Sequence, residues 1–350
     1  MVNPSPPSRV VVTGAAGILG SSLVARLLAD GAEVCGLDLR EIAPEPGLTP
    51  RRADIRDVPA VKAAFAGADM VVHCAAALPS YPADQIRSII VGGTTAVLRA
   101  ARDTGVRRVV HISSTAVYGL PKRVPTTEDH PREPVDTYSA AKAEAEELAE
   151  KYRADGMCVS VLRPKTFLGP GRMGLFSMLF EWAEEGRNFP VLGRGDVRIQ
   201  MLGLEDLVDA VTTVLAAPDE VANDTYNLGA ARFGTIREDF QSVLDAAGRG
   251  RRVVSVPAHA AVGVLRLLER FKLSPVYGRL LYKLLADSYV SIGKAQDRLG
   301  FTPRLSNQEA ILRTYDWWRR HRAEPAARGT GRTSREPWRQ GVLAMSKVFF

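Results

Sequence analysis

The segment Thr13-Gly14-Ala15-Ala16-Gly17-Ile18-Leu19-Gly20 constrains the fold of this chain most. It lies between a short apolar run, Arg9 to Val12, and a stretch from Ile18 to Ala29 whose apolar residues recur at helical spacing up to Gly31. Three glycines in that context have separate tasks. Gly14 permits the tight turn, Gly17 lets a ligand's pyrophosphate approach the backbone, and Gly20 allows close helix–sheet packing. The helix start presents bare N–H groups and a positive dipole end to an anion. Gly14, Ala16, Gly17, Ile18, Leu19 and Gly20 are therefore the expected cradle of a dinucleotide. Glu33 to Leu37 reads as the second strand, and Asp38 ends it with a carboxylate suited to a ribose 2′-hydroxyl. That carboxylate repels the extra phosphate of NADP, so NAD is the expected cofactor, with Leu39 in the same set. Arg40 keeps NADP as the lesser alternative. Asp54-Ile55 falls where a third strand should end and fits an adenine contact; a helix N-cap is the competing reading for Asp54.

The alternation continues. Met70 to Ala75, Arg108 to Ser113 and Val159 to Arg163 are continuous apolar strands, with helices read over Ile86 to Asp103 and around Lys142. Strands buried on both faces and separated by helices predict an α/β fold: a Rossmann-type, doubly wound parallel sheet. His73-Cys74-Ala75-Ala76-Ala77 ends the fourth strand in small residues, so Ala75 and Ala76 are expected against the cofactor, and His73 reads as a packed histidine. Beyond about Pro170 the rhythm changes. Helices are expected over Met173 to Gly186 and Ile236 to Ala247, strand into helix over Arg198 to Val214, and a strand at Thr225 to Leu228. The predicted organisation is an NAD-binding domain over 1–172 with 198–230 returning to it. A smaller, mainly helical substrate lobe follows over 173–197 and 231–321, then a basic, disordered tail over 322–350.

Tyr138-Ser139-Ala140-Ala141-Lys142 carries the chemistry. Four residues apart on a helix, Tyr138 and Lys142 share one face. An ammonium beside a phenol favours the phenolate and is expected to lower the tyrosine's pKa from about 10. Such a group takes a proton from an alcohol, or returns one to a ketone, while hydride moves at a nicotinamide. Ser114, at the end of the fifth strand, is expected to hydrogen-bond the same substrate oxygen.

The net charge of +7 suggests a nucleic-acid partner, but its distribution does not. From Arg319 onward eight basic residues stand against two acidic ones, leaving the body near neutral. Cys35, Cys74 and Cys158 have no disulfide or metal spacing and read as free thiols of a reducing cytoplasm. No metal site is expected. Met1 to Ser8 does not read as a signal peptide, and no apolar run reaches the roughly 18 residues of a membrane span, so no stable membrane insertion is expected.

TGAAGILG, HCAAA, HISSTAVYG, YSAAK, RPKTFLGPG, YNLGA and LGFTPR follow one another between about Val10 and Arg320. In that order they resemble the blocks of the extended short-chain dehydrogenase/reductase family, in its NAD-dependent epimerase/dehydratase branch. The resemblance implies Tyr138 as acid/base, Lys142 as its pKa modulator and a ribose ligand, Ser114 as substrate-oxygen ligand and Pro164 beside the nicotinamide. It also implies a homodimer paired through the Tyr/Lys helix. Dehydratases of the branch carry Asp-Glu where this chain has Thr115-Ala116, and decarboxylases carry Glu at Ala116, which disfavours both reactions. Arg198-Ile199-Gln200 resembles the segment whose arginine binds a nucleotide-sugar pyrophosphate, although the second phosphate-binding arginine is not recognisable. Ser114, Thr115, Lys165, Arg198 and Gln200 are thus candidate substrate contacts, and Arg172 and Arg187 could also supply anion binding. The expected substrate is a small molecule, foremost a nucleotide sugar undergoing 4-epimerisation. The apolar 260–285 stretch leaves a hydrophobic or cyclic alcohol, sterol-like or secondary-metabolite, as the alternative. A cofactor sensor without turnover would have no use for Ser114, Tyr138 and Lys142.

Overall fold

The computed structural model describes residues 8–120, 122–172, 176–257 and 285–322. The first half runs β1 (Arg9–Thr13), α1 (Ile18–Ala29), β2 (Glu33–Asp38), β3 (Leu48–Arg52), α2 (Val58–Phe65) and β4 (Met70–His73). It continues through α3 (Ala83–Arg87), α4 (Gly93–Asp103), β5 (Arg108–Ile112), α5 (Thr137–Ala154) and β6 (Cys158–Pro164). Ile86 to Asp103, expected as one helix, contains a π-helical turn at Ser88–Gly92 that joins α3 to α4. The second half adds β7 (Phe167–Leu168), α6 (Phe176–Glu184), β8 (Phe189–Leu192), β9 (Leu202–Gly203), α7 (Leu204–Ala216), α8 (Asp219–Ala222) and β10 (Thr225–Leu228). It ends with α9 (Ile236–Ala246), β11 (Val253–Val256), α10 (Gly293–Leu299) and α11 (Asn307–His321).

Seven strands form one parallel sheet in the order β10-β6-β5-β4-β1-β2-β3. This is the expected doubly wound fold. Val10 and Val12 point into a core with Leu23 and Leu27 of α1 and Leu207 and Val211 of α7. Val11 points the other way, with Phe65 of α2, Val97 of α4 and Ala149 of α5. Period-2 strands between helices on both faces produce these two cores. β1 lies between β4 and β2, so the strand order reverses at the end of β1. There Thr13 is in register with both Leu37 and His73, and a crevice opens outside the strand ends.

The smaller lobe has its own core, where Phe180 and Trp182 of α6 meet Phe240 of α9 and Ile311 and Tyr315 of α11. It also contains a two-stranded parallel pair, β8 with β11. Val253 to Val256 is a strand because its β-branched residues complete an edge for β8. Two further expectations about boundaries change. Val290, Ile292, Ala295 and Leu299 pack into the core of the large sheet, and Lys294 and Arg298 pair with Asp224, so α10 joins the larger body rather than the lobe. Arg319 of α11 and Arg322 just after it, expected in or beside a solvated tail, both pair with Glu184 at the end of α6. Met173, the 260–284 part of the apolar stretch and the tail from 323 onward lie outside the described residues. Among the described residues no helix is long and apolar enough to cross a membrane, and no cluster of potential metal ligands forms.

Candidate active site

The carboxyl ends of β1, β2, β4, β5 and β6 converge on the crevice. Gly14 has φ +68°, and a Cβ there would stand 2.8 Å from the Ala75 nitrogen. The loop after β1 therefore lies directly on the loop after β4. A Cβ on Gly20 would meet the Gly14 carbonyl oxygen at 2.1 Å, so this glycine serves the loop's closure onto its own helix rather than the sheet as expected. Gly17 caps α1 with extended backbone and no side-chain hydrogen bond, so no side chain of the chain caps the first-turn N–H groups. Asp38 accepts from the Ala16 N–H (3.0 Å) and the Arg40 N–H (2.9 Å), with the Arg40 guanidinium at 3.5 Å. An uncapped helix start, a backbone cradle that admits no side chain and a carboxylate at the next strand end fit the pyrophosphate and ribose of a dinucleotide. Leu39 is 60% exposed at the rim. Asp54 forks onto Arg56, whose guanidinium holds its carboxyl below the usual range; the N-cap of α2 is Asp57 instead. Ile55 is buried beneath Gly93.

Asp136 and Ser139 form a reciprocal capping box at the start of α5 (Ser139 N to Asp136 Oδ1, 2.7 Å), placing Tyr138 in the first turn and Lys142 one turn on. Ser114 follows β5, accepts from the Ala116 N–H at 3.1 Å and lies near enough to the Tyr138 phenol to favour its ionised form. The expectation that Lys142 lowers the tyrosine's pKa is not met in this structure. Burial against Ala77, Ile86, Ile90 and Ala141 pushes the phenol up, opposed by the Arg172 charge and by Ser114. The Lys142 ammonium instead donates to the Ile112 carbonyl at 2.8 Å, and its own burial draws it down to about 8. Arg172, weighed from the sequence only for anion binding, is the cation acting on the phenol. Its guanidinium lies 3.9 Å from the Phe167 ring centroid and its Nε donates to the Phe167 carbonyl at 2.9 Å.

His73 is packed between Thr13 (2.8 Å) and Thr94 (3.2 Å), and burial holds it at about 3, a neutral structural ring. Of the substrate candidates, Thr115 reaches the Pro164 carbonyl (3.4 Å), bringing it to the ends of β5 and β6. Lys165 is turned onto Ser288, by both the carbonyl and the hydroxyl (2.9 Å each). Gln200 is 1% exposed and braces backbone with both ends of its amide, to Ala230 and from Val290, so it is a structural residue here. Arg198 is exposed above the Phe233 and Tyr289 rings at 4.8 and 5.3 Å. Arg187, exposed enough to pair with Glu185 at 3.0 Å, lies in the smaller lobe after α6.

A model of the NAD dependent epimerase/dehydratase family matches residues 10–229. The chain is 36% identical over 340 residues to an uncharacterized protein of Sinorhizobium fredii, covering 96% of this chain and 84% of that one. It is 30% identical over 336 residues to a UDP-glucose 4-epimerase of Mycolicibacterium smegmatis (89% and 98%). A 3 beta-hydroxysteroid dehydrogenase/Delta 5-->4-isomerase of Mycobacterium tuberculosis is 30% identical over 330 residues (87% and 88%). Among solved structures, MoeE5 in complex with UDP-glucuronic acid and NAD superposes with a TM-score of 0.73 at 27% identity, over 89% of this chain and 99% of that one.

Proposed function

The chain belongs to the NAD dependent epimerase/dehydratase family, and on that premise we propose that it epimerises a nucleotide sugar at a secondary alcohol. It is an enzyme and its cofactor is NAD. The observation that carries the reading is the placement of Ser114, directly after β5, beside the Tyr138 phenol, which sits one helical turn from Lys142 on α5. Gly14 to Gly20 and Asp38 would hold the dinucleotide; when bound, NAD supplies the acceptor and donor of hydride. Tyr138 takes the substrate hydroxyl proton and later returns it. Ser114 orients that oxygen, and Arg172 supplies positive charge near the developing phenolate, while Lys142 is seated on the Ile112 carbonyl. The raised phenol pKa means that proton transfer needs this charge. Neither Thr115 nor Ala116 is ionisable, so expulsion of water from the sugar has no acid/base partner at the dehydratase position.

The nucleotide-sugar choice draws on similarity to the UDP-glucose 4-epimerase and to the UDP-glucuronic acid complex. The second reading is a dehydrogenase of a hydrophobic cyclic alcohol, favoured by 30% identity with the steroid dehydrogenase/isomerase over 330 residues. Incubating the protein with NAD and either UDP-hexoses or 3β-hydroxysteroids, with absorbance at 340 nm followed beside product analysis, separates the two. Epimer without accumulated NADH is the expected result; NADH in proportion to steroid oxidised selects the second reading.

A further inference from the structure

We propose that Ser113 and Glu146 are positioning residues for the reaction: the bond between their side chains latches the end of β5 to α5 and so sets Ser114 beside Tyr138. This rests on the reading of Ser114 and Tyr138 as the groups that handle the substrate hydroxyl. Tyr138, Lys142 and Glu146 stand four residues apart along α5, a spacing that lines them up on one face over two turns. The later two each grip the end of β5. Lys142 Nζ donates to the Ile112 carbonyl at 2.8 Å, and the Glu146 carboxylate accepts from the Ser113 hydroxyl. Ile112, Ser113 and Ser114 are consecutive, so both bonds fall on the residues directly before Ser114.

The latch is itself held still. Arg163 Nε donates to both Glu146 oxygens at 3.0 and 3.1 Å, Arg163 Nη2 at 2.6 Å and Arg132 Nη1 at 3.3 Å. Arg163 lies on β6, and the Ser113 N–H donates to the Leu162 carbonyl of the same strand at 2.7 Å. Arg163 Nη1 also donates to the Tyr118 hydroxyl at 2.7 Å, at the end of the short turn Thr115–Tyr118 that follows Ser114. The Glu146–Arg163 pair therefore fixes the chain on both sides of Ser114, through Ser113 before it and Tyr118 after it. Ser113, Glu146 and Arg163 are all buried, so none of them meets substrate. A buried ion pair is weak evidence for stability, because well-packed apolar residues of the same volume often do as well. What apolar residues would not supply is a directional bond to each flank of Ser114.

Ser113→Ala opens the latch while Glu146 keeps Arg163 and Arg132, so no buried charge is stranded. NMR of the full chain with tyrosine labelled at Cζ, with and without NAD, reads the surroundings of the Tyr138 phenol, its resonance assigned by its loss in Tyr138→Phe. Ser114→Ala should move that resonance, and Ser113→Ala should move it in the same direction. Ser113→Ala added to Ser114→Ala should move it no further, because a residue that acts through Ser114 has no effect once Ser114 is truncated. On the UDP-hexose that the wild type epimerises, Ser113→Ala should lower kcat by about ten- to a hundredfold, with KM within about twofold. An additive shift in the double variant, or a folded Ser113→Ala whose Tyr138 resonance stays in place while Ser114→Ala moves it, overturns the latch. A Tyr138 resonance unmoved by Ser114→Ala overturns the reading of the site itself, and the latch with it. The NMR readout needs no substrate, so a failed epimerase assay mimics neither result.

Discussion

At the scale of single residues, the site is built from positions where one atom more or less decides the outcome. Gly14 and Gly31 both have positive φ, yet nothing lies within 4 Å of a Cβ on Gly31, whereas one on Gly14 meets Ala75 backbone at 2.8 Å. Gly31→Ala should cost about 1 kcal/mol of left-handed strain. Gly14→Ala adds about 1–3 kcal/mol of overpacking and should also weaken NAD binding. Urea unfolding of the two variants checks this, and equal losses would refute the close approach of the two loops. Such glycines are legible in a sequence because their spacing and flanking elements are local. Arg172 is not, because its charge reaches Tyr138 only after the chain has passed through β6. Lys142 was legible as a member of the pair but not in its partner, because a Tyr-x-x-x-Lys spacing fixes a shared helix face and not the rotamer that carries the ammonium to Ile112.

Among elements, α5 matters most, since its first turn carries Tyr138 and its second Lys142. The Asp136–Ser139 box fixes that turn. Asp136→Ala should cost about 1 kcal/mol, a fall of roughly 2–4 °C in melting temperature. It should also lower kcat severalfold at temperatures where the protein is fully folded, because the frayed turn no longer holds the phenol against Ser114. Parallel melting and kinetic measurements test this, and unchanged kcat with a lowered melting temperature would separate the cap from the chemistry. The inner strands of the large sheet were readable because burial on both faces makes continuous apolar runs, whereas β3, a half-exposed edge strand of sequence Leu-Thr-Pro-Arg-Arg, was legible only in where it should end. β8 was not: it is four residues with Pro190 inside, a pattern that argues against a strand unless, as here, it sits in a two-stranded edge pair. α10 was misassigned because an amphipathic helix does not record which core its apolar side meets.

For the whole molecule, the fold brings a dinucleotide cradle from β1, β2 and β4 to face a phenol and a hydroxyl from α5 and β5, at the point where the strand order reverses. Neither half does chemistry alone, since hydride transfer and proton transfer must act on one carbinol carbon and its oxygen. The candidate substrate contacts lie among residues from distant parts of the chain, with Ser288 beside Lys165 and Tyr289 beside Arg198. That explains why they were the least legible in sequence and why Gln200 turned out to brace backbone. The proposed reaction stands or falls on Tyr138. Single-turnover kinetics of Tyr138→Phe at saturating NAD, with the alcohol that the wild type converts, should show a loss of about 10²–10⁴-fold. NAD affinity, read from quenching of protein fluorescence, should stay within a few-fold of wild type. Turnover of the variant within tenfold of wild type would contradict the assignment of Tyr138 as the group that moves the proton.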